Sequence, residues 1–303
     1  MTNSTNGTRT TSRLVARKPA CEPLLHMYRA AEAKRTGAWS DVESDFMSAM
    51  EEFDRNVAAG RADQGDRQNG KGDFLNDLIA LLLERGTGVK LVPRKGMSGF
   101  VFPSHNLDVT YPDTGIIRFT LEVKAAGTPR HPRSLAQEAI GRPGSADLPK
   151  RIKEAAFKTI DLKAAYGQMM SGRGLVASAP TGNLTSWLRS VPPKSYLFMS
   201  VRVVGPADFD ATVALGEMAT QVMDGVGLFC FGPASESQPT SYKVLGVPRH
   251  LGFGQVLYRA CQDLVALRDQ PITPIGAEAL GPAAEAQTAL SKVDPDPADE
   301  RPD

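Results

Sequence analysis

The chain has 303 residues, of which 41% are hydrophobic and 23% charged, and its net charge is +1. These values are those of an ordinary globular protein and exclude a polycation, a fibrous chain or a wholly disordered one. No apolar run approaches the roughly 18–20 residues that span a bilayer, and the polar start from Met1 to Thr11 carries no apolar core, so neither a membrane segment nor a secretory signal is expected.

Residues 1–19 are rich in Thr, Ser and Asn with scattered Arg and read as disordered. Two helices follow, over 23–35 and 40–59. Ser40 and Glu43 stand three apart, as a capping box requires, and Phe46, Met50 and Phe53 recur at helical spacing as a core stripe. Residues 62–71 form a polar, glycine-bearing loop. The clearest helix runs from about Gly70 to Gly86, with Asp73 as its cap and Gly86 as its C-terminal stop. Asp77 lies on its apolar side between Phe74 and Leu81, and an acid there needs a partner or a cation. Two strands, 89–93 and 99–103, joined by a turn at 95–99, lead to the most informative segment.

Residues 105–124 read as two strands joined by the turn Pro112-Asp113-Thr114-Gly115. Asp108 lies in the first strand and the triplet Glu122-Val123-Lys124 ends the second. Side chains alternate along a strand, so Glu122 and Lys124 share a face, and pairing of the strands brings Asp108 beside them. Two acids hold a hard cation such as Mg²⁺ through oxygen ligands. A lysine beside them orients or helps to deprotonate an attacking water, or offsets charge on a phosphate. Asp113 is the rival first acid, but it belongs to the turn tip, away from Glu122. The residues Ala125-Ala126-Gly127 after the triplet are small and leave room for a substrate backbone. Two like charges at one site repel, so removal of either acid is expected to leave stability unchanged or raised.

The linker 127–149 is rich in Pro, Gly and Arg. From Lys124 to Arg173 ten basic residues stand against four acidic ones, the charge layout of a surface that grips phosphates. Arg130, Arg133, Lys150, Lys153 and Lys158 are the candidate DNA contacts. A helix from about Pro149 to Met170 places Ile152, Ala156, Ile160 and Tyr166 near one face, with the three lysines projecting elsewhere. After a loop-rich stretch, 171–193, that turns once near Leu184, a buried strand (196–204), a helix (208–223), a strand (226–231) and a last helix (253–267) follow. The loops 127–149, 171–193 and 232–250 are candidates for reading bases. Residues 270–303 are a Pro/Asp-rich tail read as disordered. Cys21, Cys230 and Cys261 are far apart and make neither a zinc motif nor a disulfide framework, so a reducing, cytoplasmic setting is expected. The four histidines show no ligand spacing, and His105-Asn106 lacks the companion His of an HNH nuclease.

Asp108, Glu122 and Lys124 make the chain resemble the PD-(D/E)xK nuclease superfamily, most like its type II restriction endonucleases, over roughly residues 70–170. The resemblance implies an α/β fold, a restriction-endonuclease-like mixed central sheet flanked by helices, in one domain over 20–269. It implies a Mg²⁺-dependent endonuclease for double-stranded DNA, with Asp108, Glu122 and the backbone carbonyl of Val123 on the metal and Lys124 activating water. A helix before the hairpin supplies a third acid in that family. Asp77 is the candidate here, while Asn76 stands where Glu is frequent. Cutting both strands implies a homodimer, and a restriction role implies a cognate DNA methyltransferase encoded nearby. The alternatives are a repair, recombination or phage nuclease of the same superfamily, or a non-catalytic DNA-binding protein that keeps the fold. The Gln-x-x-x-Tyr helix of the repair branch is absent, since Tyr166 precedes Gln168.

Overall fold

Three helices precede a run of three strands in the computed structural model, which describes residues 19–130, 141–171 and 183–270. Among these residues the helices are α1 (Glu22–Lys34), α2 (Glu43–Ala58), α3 (Lys71–Thr87), α4 (Leu148–Ser171), α5 (Leu184–Ser190), α6 (Pro206–Ala219) and α7 (Phe253–Arg268). The strands are β1 (Val92–Met97), β2 (His105–Tyr111), β3 (Phe119–Ala126), β4 (Lys194–Arg202), β5 (Gly225–Ser235) and β6 (Gln238–Leu245). They form one six-stranded sheet in sequence order. β1, β2 and β3 are an antiparallel meander; β3, β4 and β5 run parallel; β6 returns antiparallel. The parallel strands are linked through α4 and α6, because a parallel connection needs a crossover long enough to hold a helix.

Alternation along the strands sorts the core into two layers. Phe119, Leu121, Val123, Tyr196, Phe198, Phe229 and Phe231 join the apolar faces of α1, α2, α3 and α7. Leu197, Met199, Val201, Leu228 and Cys230 pack on the other side with Leu148, Ile152 and Ala155 of α4 and Ala219 of α6. Strands covered on both faces carry near-continuous apolar runs, and β4 is buried from Ser195 to Arg202. The register follows: Phe119, Leu121 and Val123 face α3, so Glu122 and Lys124 face α4. The α/β reading, with a mixed central sheet flanked by helices, is met.

Several local expectations are corrected. No capping box forms at Ser40; a 3-10 turn, Trp39–Asp41, precedes α2, whose N-cap Val42 makes no side-chain bond. Asp73 lies inside α3, which grows directly from a π-helical turn at Asp66–Gly70. The stop is Gly88, left-handed at φ 68°, which donates to the carbonyl of Glu84. The segment 99–103 is no strand, and β1 begins at Val92 and runs through the expected turn. The stretch 232–250 is mostly strand, since β5 and β6 extend through it. Residues 1–18 and 271–303, expected to be disordered, lie outside the described residues. So do 131–140, with Arg133, and 172–182.

Candidate active site

β2 and β3 pair only from Tyr111↔Phe119 to Val109↔Leu121. Beyond that point they part, and the two chemical strands diverge around a cavity of about 390 Å³ whose wall includes Asp108, Val123, Lys124 and Ala125. The backbone N–H of Val123, left without a strand partner on this side, donates to Oδ2 of Asp108 at 2.8 Å. An acid placed one residue past the last paired position therefore takes over the ladder's hydrogen bond. This fixes its carboxylate on β3.

Lys124 Nζ lies 2.9 Å from Oε2 of Glu122 and 3.4 Å from Oδ2 of Asp108. Asp108, Glu122 and Lys124 thus converge as the spacing predicts. Glu122 is almost fully buried, with its side chain 5% exposed, whereas Asp108 is 31% exposed. Burial alone would lower the Lys124 pKa, but the adjacent Glu122 and Asp108 carboxylates outweigh it and hold the ammonium above the usual lysine range. Lys124 is consequently a proton-bearing donor, not a free base.

A second ammonium enters the same site. Lys158 of α4 donates to both oxygens of Glu122 at 3.1 Å and to the carbonyl of Asn106 at 2.8 Å. Lys158 was expected to project away with Lys150 and Lys153. The error is one of helical phase. The buried face of α4 carries Ile152, Ala155, Thr159 and Leu162, while Ile160 is exposed. Lys158 is three residues past Ala155 and four before Leu162, at the edge of that face. Lys150 and Lys153 do face solvent, and so does Arg130.

Asp77 is buried, but it is not in the cavity wall. Arg94 of β1 donates to its Oδ1 at 3.2 Å and lies 3.6 Å from Asp73. The cation that an acid on this face requires is a guanidinium of the chain itself, so Asp77, the candidate third acid, meets Arg94 and does not line the cavity. Asn76, by contrast, does line the cavity, with Gly72, Asp73 and Arg94. Asp113 is exposed on the β2–β3 turn, where its carbonyl accepts from Lys95. It stands apart from Glu122, in keeping with the choice of Asp108.

Among the described residues no group of three or more His, Cys, Asp and Glu is arranged around a metal position. The fit to Mg²⁺ rests on a smaller set. Mg²⁺ commonly takes one or two protein carboxylates and completes its shell with water and phosphate. Asp108 and Glu122 already share one cation through Lys124, and Oδ1 of Asp108 takes no hydrogen bond from the described residues. The donor set suits a hard divalent ion.

Sequence reasoning missed Arg94 and Arg151 in the cavity wall and the contact of Lys158 with Glu122. Only Lys158 carried a local signal, the i+3/i−4 spacing to Ala155 and Leu162. No protein-family model, curated protein or solved structure matches the chain.

Proposed function

We propose that the protein is a Mg²⁺-dependent endonuclease that hydrolyses phosphodiester bonds of double-stranded DNA, a type II restriction enzyme of the PD-(D/E)xK kind. The observation that carries this reading is the meeting of Asp108, Glu122 and Lys124 where β2 leaves β3. A mixed sheet flanked by helices, with a helix ahead of the catalytic hairpin, supports it further. Asp108 and Glu122 would hold the ion, with the Val123 carbonyl as a further ligand by the family resemblance. Bound there, Mg²⁺ supplies Lewis-acid polarisation of the phosphoryl group and acidifies a water.

The chain's own groups do the rest. Lys124 donates a hydrogen bond to the attacking water or to a non-bridging oxygen and offsets the charge that builds there. Water forms the new P–O bond, its proton leaves to solvent, and the departing oxygen is protonated as its own P–O bond breaks. Lys158 fixes the orientation of Glu122 through both of its oxygens. The exposed Lys150, Lys153 and Arg130 offer phosphate contacts beyond the cavity. Cleavage of both strands would require two copies, hence a homodimer, and a restriction role would require a companion methyltransferase.

Incubation of purified protein with a long linear duplex and Mg²⁺ tests the proposal. Discrete fragments with Mg²⁺ and none with a chelator are expected. Equal cutting in chelator removes the metal role. Random degradation transfers the protein to a repair or phage nuclease, and tight binding without cutting to a non-catalytic DNA-binding protein.

A further inference from the structure

The outer face of α4 carries an apolar surface that the candidate site does not use. Nine large hydrophobic side chains are exposed among the described residues. Four of them, Leu184, Met218, Val244 and Tyr258, lie on four different elements. The other five are gathered together: Phe100, Val101 and Phe102 on the loop before β2, and Phe157 and Ile160 on α4. Phe102 packs edge-on against Phe157, with 5.2 Å between ring centroids. The N–H of Phe100 donates to the carbonyl of Asp161, next to Ile160. Every exposed phenylalanine among the described residues belongs to this patch.

A surface helix ordinarily turns its charges to water and its apolar residues inward. In the second half of α4 that order is reversed. After Glu154 its charged residues are Lys158, Asp161 and Lys163. Lys158 is taken by Glu122, Asp161 by the loop N–H groups and His105, and Lys163 by Asp224 and the carbonyls of Leu188 and Val191. Solvent meets Phe157 and Ile160 instead. The loop is also held in place. The consecutive N–H groups of Phe100, Val101 and Phe102 all bond to Asp161, so its side chains are presented with little ordering left to be lost on binding.

Contiguous exposed apolar surface marks a contact with a partner. Surfaces that take DNA are polar and basic, as Lys150, Arg151 and Lys153 are on the first turns of the same helix. The patch beyond them carries no charge. An isologous contact sets a patch against its own copy, so a charged patch repels itself while an uncharged aromatic one packs. We propose that this patch is the interface between two copies of the chain, related by a two-fold axis. The interface rests on the endonuclease reading, in which each chain brings one Asp108–Glu122–Lys124 site to a duplex of two strands, and it adds where the copies meet. Phe157 directly precedes Lys158, which bonds Glu122, so the contact borders the site.

The test is sedimentation equilibrium of the wild type and of two single variants, Val101→Glu on the loop and Ile160→Glu on α4. Each is checked for folding by thermal melting and assayed on supercoiled plasmid in Mg²⁺. Each variant sets like charges against each other across the axis. A wild-type dimer is expected, with dimerisation at least about 30-fold weaker in both variants and plasmid nicked by them where the wild type linearises it. A wild-type monomer that cuts DNA, or a folded variant that dimerises as tightly as the wild type, would overturn the interface and leave the endonuclease reading intact. Weaker DNA binding by such a dimeric variant would assign the patch to the duplex. A wild-type dimer that both variants split, but that neither binds nor cuts DNA, would overturn the endonuclease reading alone. Unfolding of one variant leaves the other to decide. Unfolding of both would overturn the interface, by showing that the chain itself covers the patch.

Discussion

Glu122 is the residue whose environment most changes what a mutation should do. Two like-charged acids at one site suggest relief on removing one, yet Glu122 is flanked by the ammonium groups of Lys124 and Lys158 at 2.9 and 3.1 Å. Charge here is two acids against two lysines. Glu122→Gln leaves the lysines facing each other across a buried neutral amide, and we expect it to destabilise the fold by about 1–3 kcal/mol. A urea-unfolding midpoint at or above that of the wild type would contradict this. Lys124 gives a pH signature. Its folded pKa is raised above the usual 10.5 because the adjacent acids outweigh burial. The raised value means that its stabilising contact is fully present below pH 10.5 and is lost as pH climbs through the folded pKa. Thermal unfolding of wild type and Lys124→Met between pH 8 and 11.5 should therefore show a gap that closes at the alkaline end. A gap independent of pH would show that the ammonium is not what stabilises the site.

Among elements, the hairpin was legible and its neighbours less so. Asp108, Glu122 and Lys124 could be placed because a period of two and a Pro-Asp-Thr-Gly turn constrain which side chains meet. The segment 99–103 looked like a strand, but its backbone N–H groups are satisfied elsewhere. Val101 and Phe102 donate to the carboxylate of Asp161 on α4 at 2.7 and 3.1 Å, and His105 Nε2 lies 2.7 Å from it. Such a long-range latch, 60 residues apart in sequence, has no local trace. β6 was missed because Pro239 interrupts its polar start, Gln238 to Ser241, and proline is tolerated only at a sheet edge. The latch is tight at Gly99, where an added Cβ would come within 1.8 Å of Oδ2 of Asp161. Gly99→Ala should force the loop off α4 and cost about 1–3 kcal/mol as an overpacked site. Because α4 also carries Lys158, the same variant should slow cleavage. Wild-type melting temperature and cleavage rate together would place the loop outside the site's support.

At the scale of the molecule, two apolar layers hold the sheet, and a buried polar chain ties the helical layer to the far edge. Lys71 at the start of α3 donates to the carbonyl of Gly127 at 2.7 Å and lies 3.2 Å from Asp54 of α2. Tyr242 of β6 donates to Asp54 at 2.6 Å, and Arg202 of β4 reaches the Tyr242 oxygen at 3.0 Å. Gly127 follows β3 directly, so this chain anchors the end of the strand that carries Glu122 and Lys124. Breaking a buried ion pair by removing one partner costs about 3–5 kcal/mol, and Lys71→Met is expected to lose that much, read as a lower urea midpoint. No loss would mean that the pair adds nothing over apolar packing.

The charge distribution reaches function at the same scale. Lys150 and Lys153 are exposed on α4, and under the proposed function each phosphate contact made there would add about one unit to the salt dependence of DNA binding. The most direct measurement of the proposed site compares two acids within one hairpin. Asp108 accepts from Val123 N–H and shares Lys124 with Glu122, whereas Asp113 sits exposed on the turn. Cleavage of a duplex in Mg²⁺ should be lost in Asp108→Asn and kept at the wild-type rate in Asp113→Asn. An active Asp108→Asn protein beside an inactive Asp113→Asn protein would contradict the placement of the active site at the parting of β2 and β3.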